Sequence, residues 1–258
     1  MSKIIAFCGC PNSGKTVTSL KVARELAKRK NPETGELYNV AYVSTNYTVP
    51  ALPSIFPCRK MMRSLSNCLT DAEINQTNIF ASAMTIDTAS NIIYLGFKDG
   101  ENSSSFPLPP YKKAESLFLH LRQIADFIIV DCDSYINDNM LLECALSSAN
   151  RIVYLFGYSL KDISYVSSLK EKAKYRLDSY HTIRCVNHRE DISKLNIPIA
   201  SIINKYGGVD YTLPFNKEIR QQELEGNLAY DTKHKKYAKV ISGMADKIEN
   251  EEEKTVDG

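Results

Sequence analysis

The chain has almost no excess of charge. Its 32 Lys and Arg against 30 Asp and Glu leave a formal net charge of +2 over 258 residues. Overall charge therefore makes no case for nucleic acid or an anionic membrane, and such binding would need a local patch. Long apolar runs are missing too. Nothing approaches the roughly 18 consecutive apolar residues of a membrane span. The five-residue run 4–8 after Met1-Ser2-Lys3 is too short for a signal-peptide core. A cytoplasmic location is expected. Metal-ligand spacing is also lacking. The seven cysteines, Cys8, Cys10, Cys58, Cys68, Cys132, Cys144 and Cys185, are odd in number and none has CxxC spacing. With no clustered Cys/His ligands, a zinc site is not expected. Several cysteines sit inside apolar runs, as reduced core thiols do. There is no internal repeat and no long linker. One domain is expected over residues 1–248, followed by an acidic, disordered tail at 249–258.

What is present is an ordinary globular composition, 43% hydrophobic and 24% charged, which allows a sizeable core. Short apolar runs alternate with amphipathic segments. Strands are predicted at 4–8, 40–44, 91–97, 127–130, 151–156, 182–186 and 199–203. Helices are predicted at 16–29, 59–69, 71–82, 111–125, 140–148, 164–177, 219–225 and 233–248. In the first of these, Val17, Leu20, Val22, Ala23, Leu26 and Ala27 share one face, with Lys21, Arg24, Glu25 and Lys28 mostly outside it. Pro50, Pro53 and Pro57 mark irregular backbone, and 98–110 reads as a surface loop. Most strands are apolar on both faces. The expected fold class is α/β: a single domain with a mostly parallel twisted sheet and helices on both faces.

Gly9-Cys10-Pro11-Asn12-Ser13-Gly14-Lys15-Thr16 fits GxxxxGK[ST] at every fixed position. It follows an apolar strand and precedes a helix, the context in which this loop cradles phosphates. Its inward backbone N–H groups and the helix N-terminus suit an anion. Lys15 is placed to neutralise β- and γ-phosphates, and the Thr16 hydroxyl to hold magnesium. Gly9 and Gly14 permit sharp turns and close backbone approach. With Val17 at the start of the helix, the loop predicts a nucleotide site for ATP and Mg2+. A second acidic anchor comes from Ala125-Asp126-Phe127-Ile128-Ile129-Val130-Asp131, an apolar strand ending in an acid. Asp131 is the candidate metal residue, although a plain turn aspartate would look the same. Asp133 could orient an attacking water or cap the next segment.

Together these pieces resemble the ParA/MinD family of P-loop ATPases, which position plasmids, chromosomes, division sites and pili. The strand 127–131 resembles that family's DYIIID segment, and Ala149-Asn150-Arg151-Ile152-Val153-Tyr154-Leu155 its ADxVIIV segment. Cys185-Val186-Asn187-His188 is similar to VVNR. Leu213-Pro214-Phe215-Asn216-Lys217-Glu218-Ile219, with Glu225-Gly226, is similar to LPYDxxVxxAxxxG. The resemblance implies that Asn187 faces the base, with Pro214 and Phe215 beside it. It also implies a nucleotide-dependent homodimer acting on a protein partner or cargo. The branch it suggests is the pilus-associated TadZ/CpaE type or a conjugation- or plasmid-associated one.

Three departures stand out. Cys10 occupies the place of the family's signature lysine, so no positive charge crosses to a partner's nucleotide. Ser44 and Asn46 replace the acidic pair after the second strand, and neither accepts a proton as a carboxylate does. Asp133 stands where the family has proline. The expectation is therefore ATP binding with slow hydrolysis, Lys15, Asp131 and Asp133 being the candidate catalytic residues. A DNA-binding partition ATPase, a non-hydrolysing pseudo-ATPase and a small-molecule kinase or synthetase of related fold are the alternatives.

Lys170, Lys172, Lys174 and Arg176, and again Lys233, Lys235 and Lys236, form basic runs that would serve non-specific DNA or simply a solvated helix face. The stripe Tyr237, Val240, Ile241, Met244 and Ile248 is followed by acids at 249–253, which favours packing on the core over a membrane surface. His181 and His188 read as surface residues.

Overall fold

The computed structural model of the chain describes residues 2–57, 60–102, 104–107, 109–135, 139–172, 181–192 and 198–250. Its strands are β1 (Lys3–Gly9), β2 (Val40–Ser44), β3 (Met84–Ile86), β4 (Ala89–Leu95), β5 (Phe127–Asp131), β6 (Arg151–Phe156), β7 (Thr182–Asn187) and β8 (Tyr211–Leu213). Among the described residues they form one sheet in the order β3-β4-β2-β5-β1-β6-β7-β8. Every pairing is parallel except β3–β4. Parallel neighbours need long crossovers, and helices supply them. They are α1 (Lys15–Ala27), α2 (Leu52–Ile55), α3 (Leu65–Thr70), α4 (Gln76–Ser82), α5 (Tyr111–Ile124), α6 (Met140–Ser148), α7 (Leu160–Lys172), α8 (Ile199–Lys205), α9 (Lys217–Glu225) and α10 (Lys235–Glu249).

The pleat divides β1 between two cores. Ile4 and Ala6 join one with Leu117 and Leu121 of α5 and Leu141 of α6. Ile5 and Phe7 join the other with Leu20 of α1 and Ile241 and Met244 of α10. All four β1 side chains are fully buried. Full burial of a large apolar side chain stabilises by about 1.5–3 kcal/mol, so the central strand is a rigid mount for the loop that leaves it. The stripe of α10 is core-facing, with Tyr237, Ile241, Met244 and Ile248 buried. Among the described residues, no helix is long and apolar enough to cross a membrane.

Several expectations need correction. Residues 199–203 are helical, within α8, not a strand. Pro198 caps this helix and only Ile202 is buried, while β8 takes the sheet edge beside β7. β3 and β8 are too short for a periodic signal. The proline-rich segment contains α2, with Pro53 in its first turn, where a missing N–H does no harm. The helix predicted at 59–69 is α3, held by a capping box at Ser64 and Asn67, and Arg59 lies outside the described residues. That at 71–82 shortens to α4, where Asn75 caps Asn78 N–H. The loop 98–110 buries Phe106 against Tyr47 and Phe97. Glu249, assigned to the tail, ends α10 and binds Arg29 Nη1 at 2.8 Å and Tyr38 Oη at 3.0 Å. Residues 251–258 of that tail, Cys58, Lys174, Arg176 and 173–177 of the predicted helix lie outside the described residues. The six described cysteines are free and buried.

Candidate functional site

β1 lies between β5 and β6, and the loop leaving its carboxyl end sits where open α/β sheets bind ligands. Backbone geometry requires the two loop glycines. Gly9 has φ +146°, and a Cβ there would stand 2.1 Å from the Leu155 carbonyl oxygen. Gly14 has φ +90° and caps α1 from the left-handed region. Asn12, at φ 61°, uses the tolerance of asparagine for that region. Among the described residues, α1 has no side-chain cap and no acid in its first turn. A helix start of this kind suits an anion.

Lys15 folds back over this loop. Its ammonium donates to the carbonyls of Gly9 at 3.2 Å and Cys10 at 2.9 Å and to Ser134 Oγ at 2.6 Å. Thr16 Oγ1 donates to Asp131 Oδ2 at 2.8 Å, and Ser44 Oγ reaches the same oxygen at 3.5 Å. Asp131 is buried, and its Oδ1 has no hydrogen-bond partner. Burial pushes its carboxyl up to about 6, opposed by the Thr16 hydrogen bond and the Lys15 charge. An orphaned buried carboxylate oxygen beside a threonine hydroxyl is a hard-oxygen donor set that suits magnesium. Asp133 is also buried and raised by burial, opposed by backbone N–H groups including that of Tyr135, which donates to Oδ1 at 3.2 Å.

The loop's outer turn is tied to α7 and β7. Asn187 Nδ2 donates to the Ser13 carbonyl at 2.9 Å. Arg189 donates to the Asn12 carbonyl at 3.2 Å and to Asp162 Oδ2 at 2.6 Å. The Cys10 thiol is turned to the Asp162 carbonyl at 3.6 Å, and burial pushes it up to about 12. It is an inert core thiol.

These groups border a cleft of about 910 Å³. Pro11, Asn12, Gly14, Lys15, Thr16 and Val17 line it, with Asp131, Asp133 and Ser134 along one wall and Asn187, Pro214 and Phe215 along another. Gly9, Cys10 and Ser13 are buried and do not line it. The volume lies in the range of cofactor sites, roughly 300–1,000 Å³. His188 also lines the cleft and is half-buried, its Nε2 2.9 Å from Tyr158 Oη. The surface reading of His188 is therefore corrected, and burial lowers its proton affinity. His181 is exposed.

Sequence reasoning passed over Ser134, Asp162 and Arg189. Ser134 had a signal, standing three residues after Asp131. Nothing in the sequence pairs Asp162 with Arg189, 27 residues away. Among the described residues, no cluster of three His, Cys, Asp or Glu could hold a metal by itself. Lys233, Lys235 and Lys236 are exposed at the start of α10, away from the cleft lining. The side chains of Lys170 and Lys172 lie outside the description.

No protein-family model matches the chain. No curated protein matches it by sequence. Solved structures match nearly its whole length. The ParA family ATPase from Chlorobium tepidum TLS has a TM-score of 0.74 at 13% identity, covering 95% of this chain and 98% of that one. The septum site-determining protein MinD complexed with Mg-ADP, from Pyrococcus horikoshii OT3, has 0.71 at 18%, covering 97% of each. A putative plasmid partition protein from Borrelia burgdorferi B31, bound to AMPPNP, has 0.70 at 13%, covering 95% and 98%. At these identities the likeness is one of fold: the chain has the ParA/MinD-like P-loop ATPase fold over nearly its full length.

Proposed function

We propose that this chain binds ATP with magnesium in the cleft and that the bound nucleotide controls its association with a second copy and with a partner or cargo that it positions. One observation carries the binding: Lys15 Nζ and the Thr16–Asp131 pair converge at the mouth of the glycine loop, with Asp131 Oδ1 left over. The loop amides and Lys15 would take the phosphates. Thr16 and Asp131 would hold magnesium, which would supply charge neutralisation for the phosphates. Asn187, Pro214 and Phe215, which line the opposite wall of the cleft, would take the base end. Support comes from the Mg-ADP and AMPPNP in structures of the same fold.

Hydrolysis is proposed to be slow. The Cys10 thiol is buried and carries no positive charge. The Ser44 hydroxyl is directed at Asp131. Asn46 Oδ1 accepts from the Thr48 and Val49 N–H groups, so it is engaged in its own turn. Asp133, on the same wall of the cleft as Asp131, would orient a water. Val49 and Tyr135, both lining the cleft, are exposed apolar side chains that a second copy would cover.

Titration with a fluorescent ATP analogue, with and without magnesium, tests the binding. Lys15→Ala is expected to weaken affinity at least tenfold, about 1.4 kcal/mol. Asp131→Asn is expected to lose the magnesium enhancement while keeping magnesium-free affinity. Unchanged affinity in a folded Lys15→Ala variant would overturn the assignment.

A further inference from the structure

α9 carries part of the cleft wall, yet it lacks the buried apolar stripe that normally seats a surface helix. Among its described residues only Gln222 is buried. Ile219, Arg220 and Glu223 line the cleft, and so does Leu228 in the turn behind the helix. Gln222 Oε1 accepts from Lys21 Nζ of α1 at 2.7 Å, and its Nε2 donates to the Asp231 carbonyl at 3.0 Å. The same ammonium donates to the carbonyls of Leu228, at 2.9 Å, and Tyr230. All three Lys21 donors are therefore engaged by α9 and its turn. Lys21 is 5% exposed, so water does not readily replace these bonds. Leu228 and Ala229 root the turn in the core. The other polar ties from α1 are weaker. Lys28 and Arg24 reach Asp231 at 2.9 and 3.5 Å, but the Asp231 side chain is 55% exposed and these pairs are screened by solvent.

We propose that Lys21 is a positioning residue: it seats α9 against α1 and thereby holds the nucleoside wall of the cleft at a fixed distance from the phosphate loop. The inference rests on the nucleotide reading above and concerns the end of the cleft away from Lys15 and Thr16. Those two residues open α1, and Lys21 lies on the same rigid helix about 9 Å further along, at 1.5 Å per residue. One helix thus carries phosphate-binding groups in its first turn and the pin for the opposite wall in its second. Without the pin, α9 keeps its caps at Asn216 and Gly226 and stays helical, but it loses its set place. The loss falls on the nucleoside, because the phosphates bind groups of the loop that Lys21 does not touch.

The test compares two ligands by titration in magnesium buffer. One is a non-hydrolysable ATP analogue; the other is inorganic tripolyphosphate, which has the phosphates and no nucleoside. Lys21→Met keeps the length of the side chain and removes its donors. It is expected to lose about tenfold in affinity for the analogue and less than about twofold for tripolyphosphate. Gln222→Leu cuts the same contact from the α9 side and is expected to give the same split, which keeps the test open if the methionine variant does not fold. Equal losses for the two ligands would mean that Lys21 acts through the stability of α1 and its loop. No loss for the analogue would mean that α9 is held without it. Either result overturns the proposal. If the unaltered protein binds both ligands with equal affinity, the phosphate-loop reading stands and this inference falls, because the nucleoside end then contributes nothing. If it binds neither, both fall.

Discussion

A buried ammonium with neutral acceptors holds its proton less tightly than one in water, and Lys21 is such a group. Its Nζ donates to Gln222 Oε1 at 2.7 Å, to the Leu228 carbonyl at 2.9 Å and to the Tyr230 carbonyl. Helical periodicity put Lys21 and Arg24 outside the apolar face of α1, yet both are buried, because the segment after α9 folds over them. Burial first, and then the Arg24 charge, lower Lys21 from 10.5 to about 8. A base with a lowered folded-state value destabilises the fold while charged, and that burden lifts as pH rises above the folded value. Relative to a Lys21→Met variant, the unaltered protein should therefore gain stability between pH 8 and the unfolded value of 10.5. The gain should be on the order of 2 kcal/mol across that window. Urea unfolding of both proteins at pH 7.5 and 9.5 checks the sign; a flat difference would show that Lys21 does not titrate there.

At the scale of elements, the join between β1 and α1 carries the most constraint. Gly14 must be left-handed to start the helix, and a Cβ there would stand 2.3 Å from Asn187 Nδ2. Gly35 is left-handed too, at φ +75°, but a Cβ there meets nothing within 4 Å. Alanine at either position strains the backbone by about 1–3 kcal/mol. At Gly14 it should also displace Asn187 from the Ser13 carbonyl and deform the phosphate loop. Gly35→Ala is expected to lower the melting temperature by a few degrees with ATP-analogue affinity unchanged. Gly14→Ala is expected to lower both, with affinity falling at least tenfold. Equal affinity in the two variants would show that the Asn187 contact does not matter to binding. The longer elements were legible because period and length agreed, as in β5, β6 and α5. The 199–203 run misread as a strand is brief and aliphatic, and such runs do not separate helix from strand by pattern. β3 and β8, Met84–Ile86 and Tyr211–Leu213, are three-residue strands that exist through the neighbours they pair with.

For the whole molecule, the proposed switch is a change of mass. The chain is 29.0 kDa, and light scattering with a non-hydrolysable ATP analogue and magnesium should report twice that value. The same mass with and without the analogue would remove the dimer from the proposal and leave the binding. Phosphate release should stay well below about 1 per second without a partner, the lower end for competent enzymes. Asp133→Ala should abolish what remains. Unchanged release in that variant would take the water-positioning role from Asp133.

What the sequence determined by itself is the part of the site written in adjacent residues. The glycine loop needs positive φ at Gly9 and Gly14 and inward N–H groups, conditions met within the eight residues from Gly9 to Thr16. Asp131 was legible because an apolar strand ending in an acid presents that acid at the sheet's carboxyl edge, where the loop also lies. The parallel sheet with two helical layers was legible because strands apolar on both faces must be covered twice. Only the tertiary structure decided which distant groups close on the loop. Ser134 meets Lys15 across 119 residues, and Asn187 meets Ser13 across 174. Strand order sets those separations: β5 and β6 flank β1, and β7 follows β6. A short polar side chain carries no local mark of the partner it will find. Its role follows from which strand ends beside it.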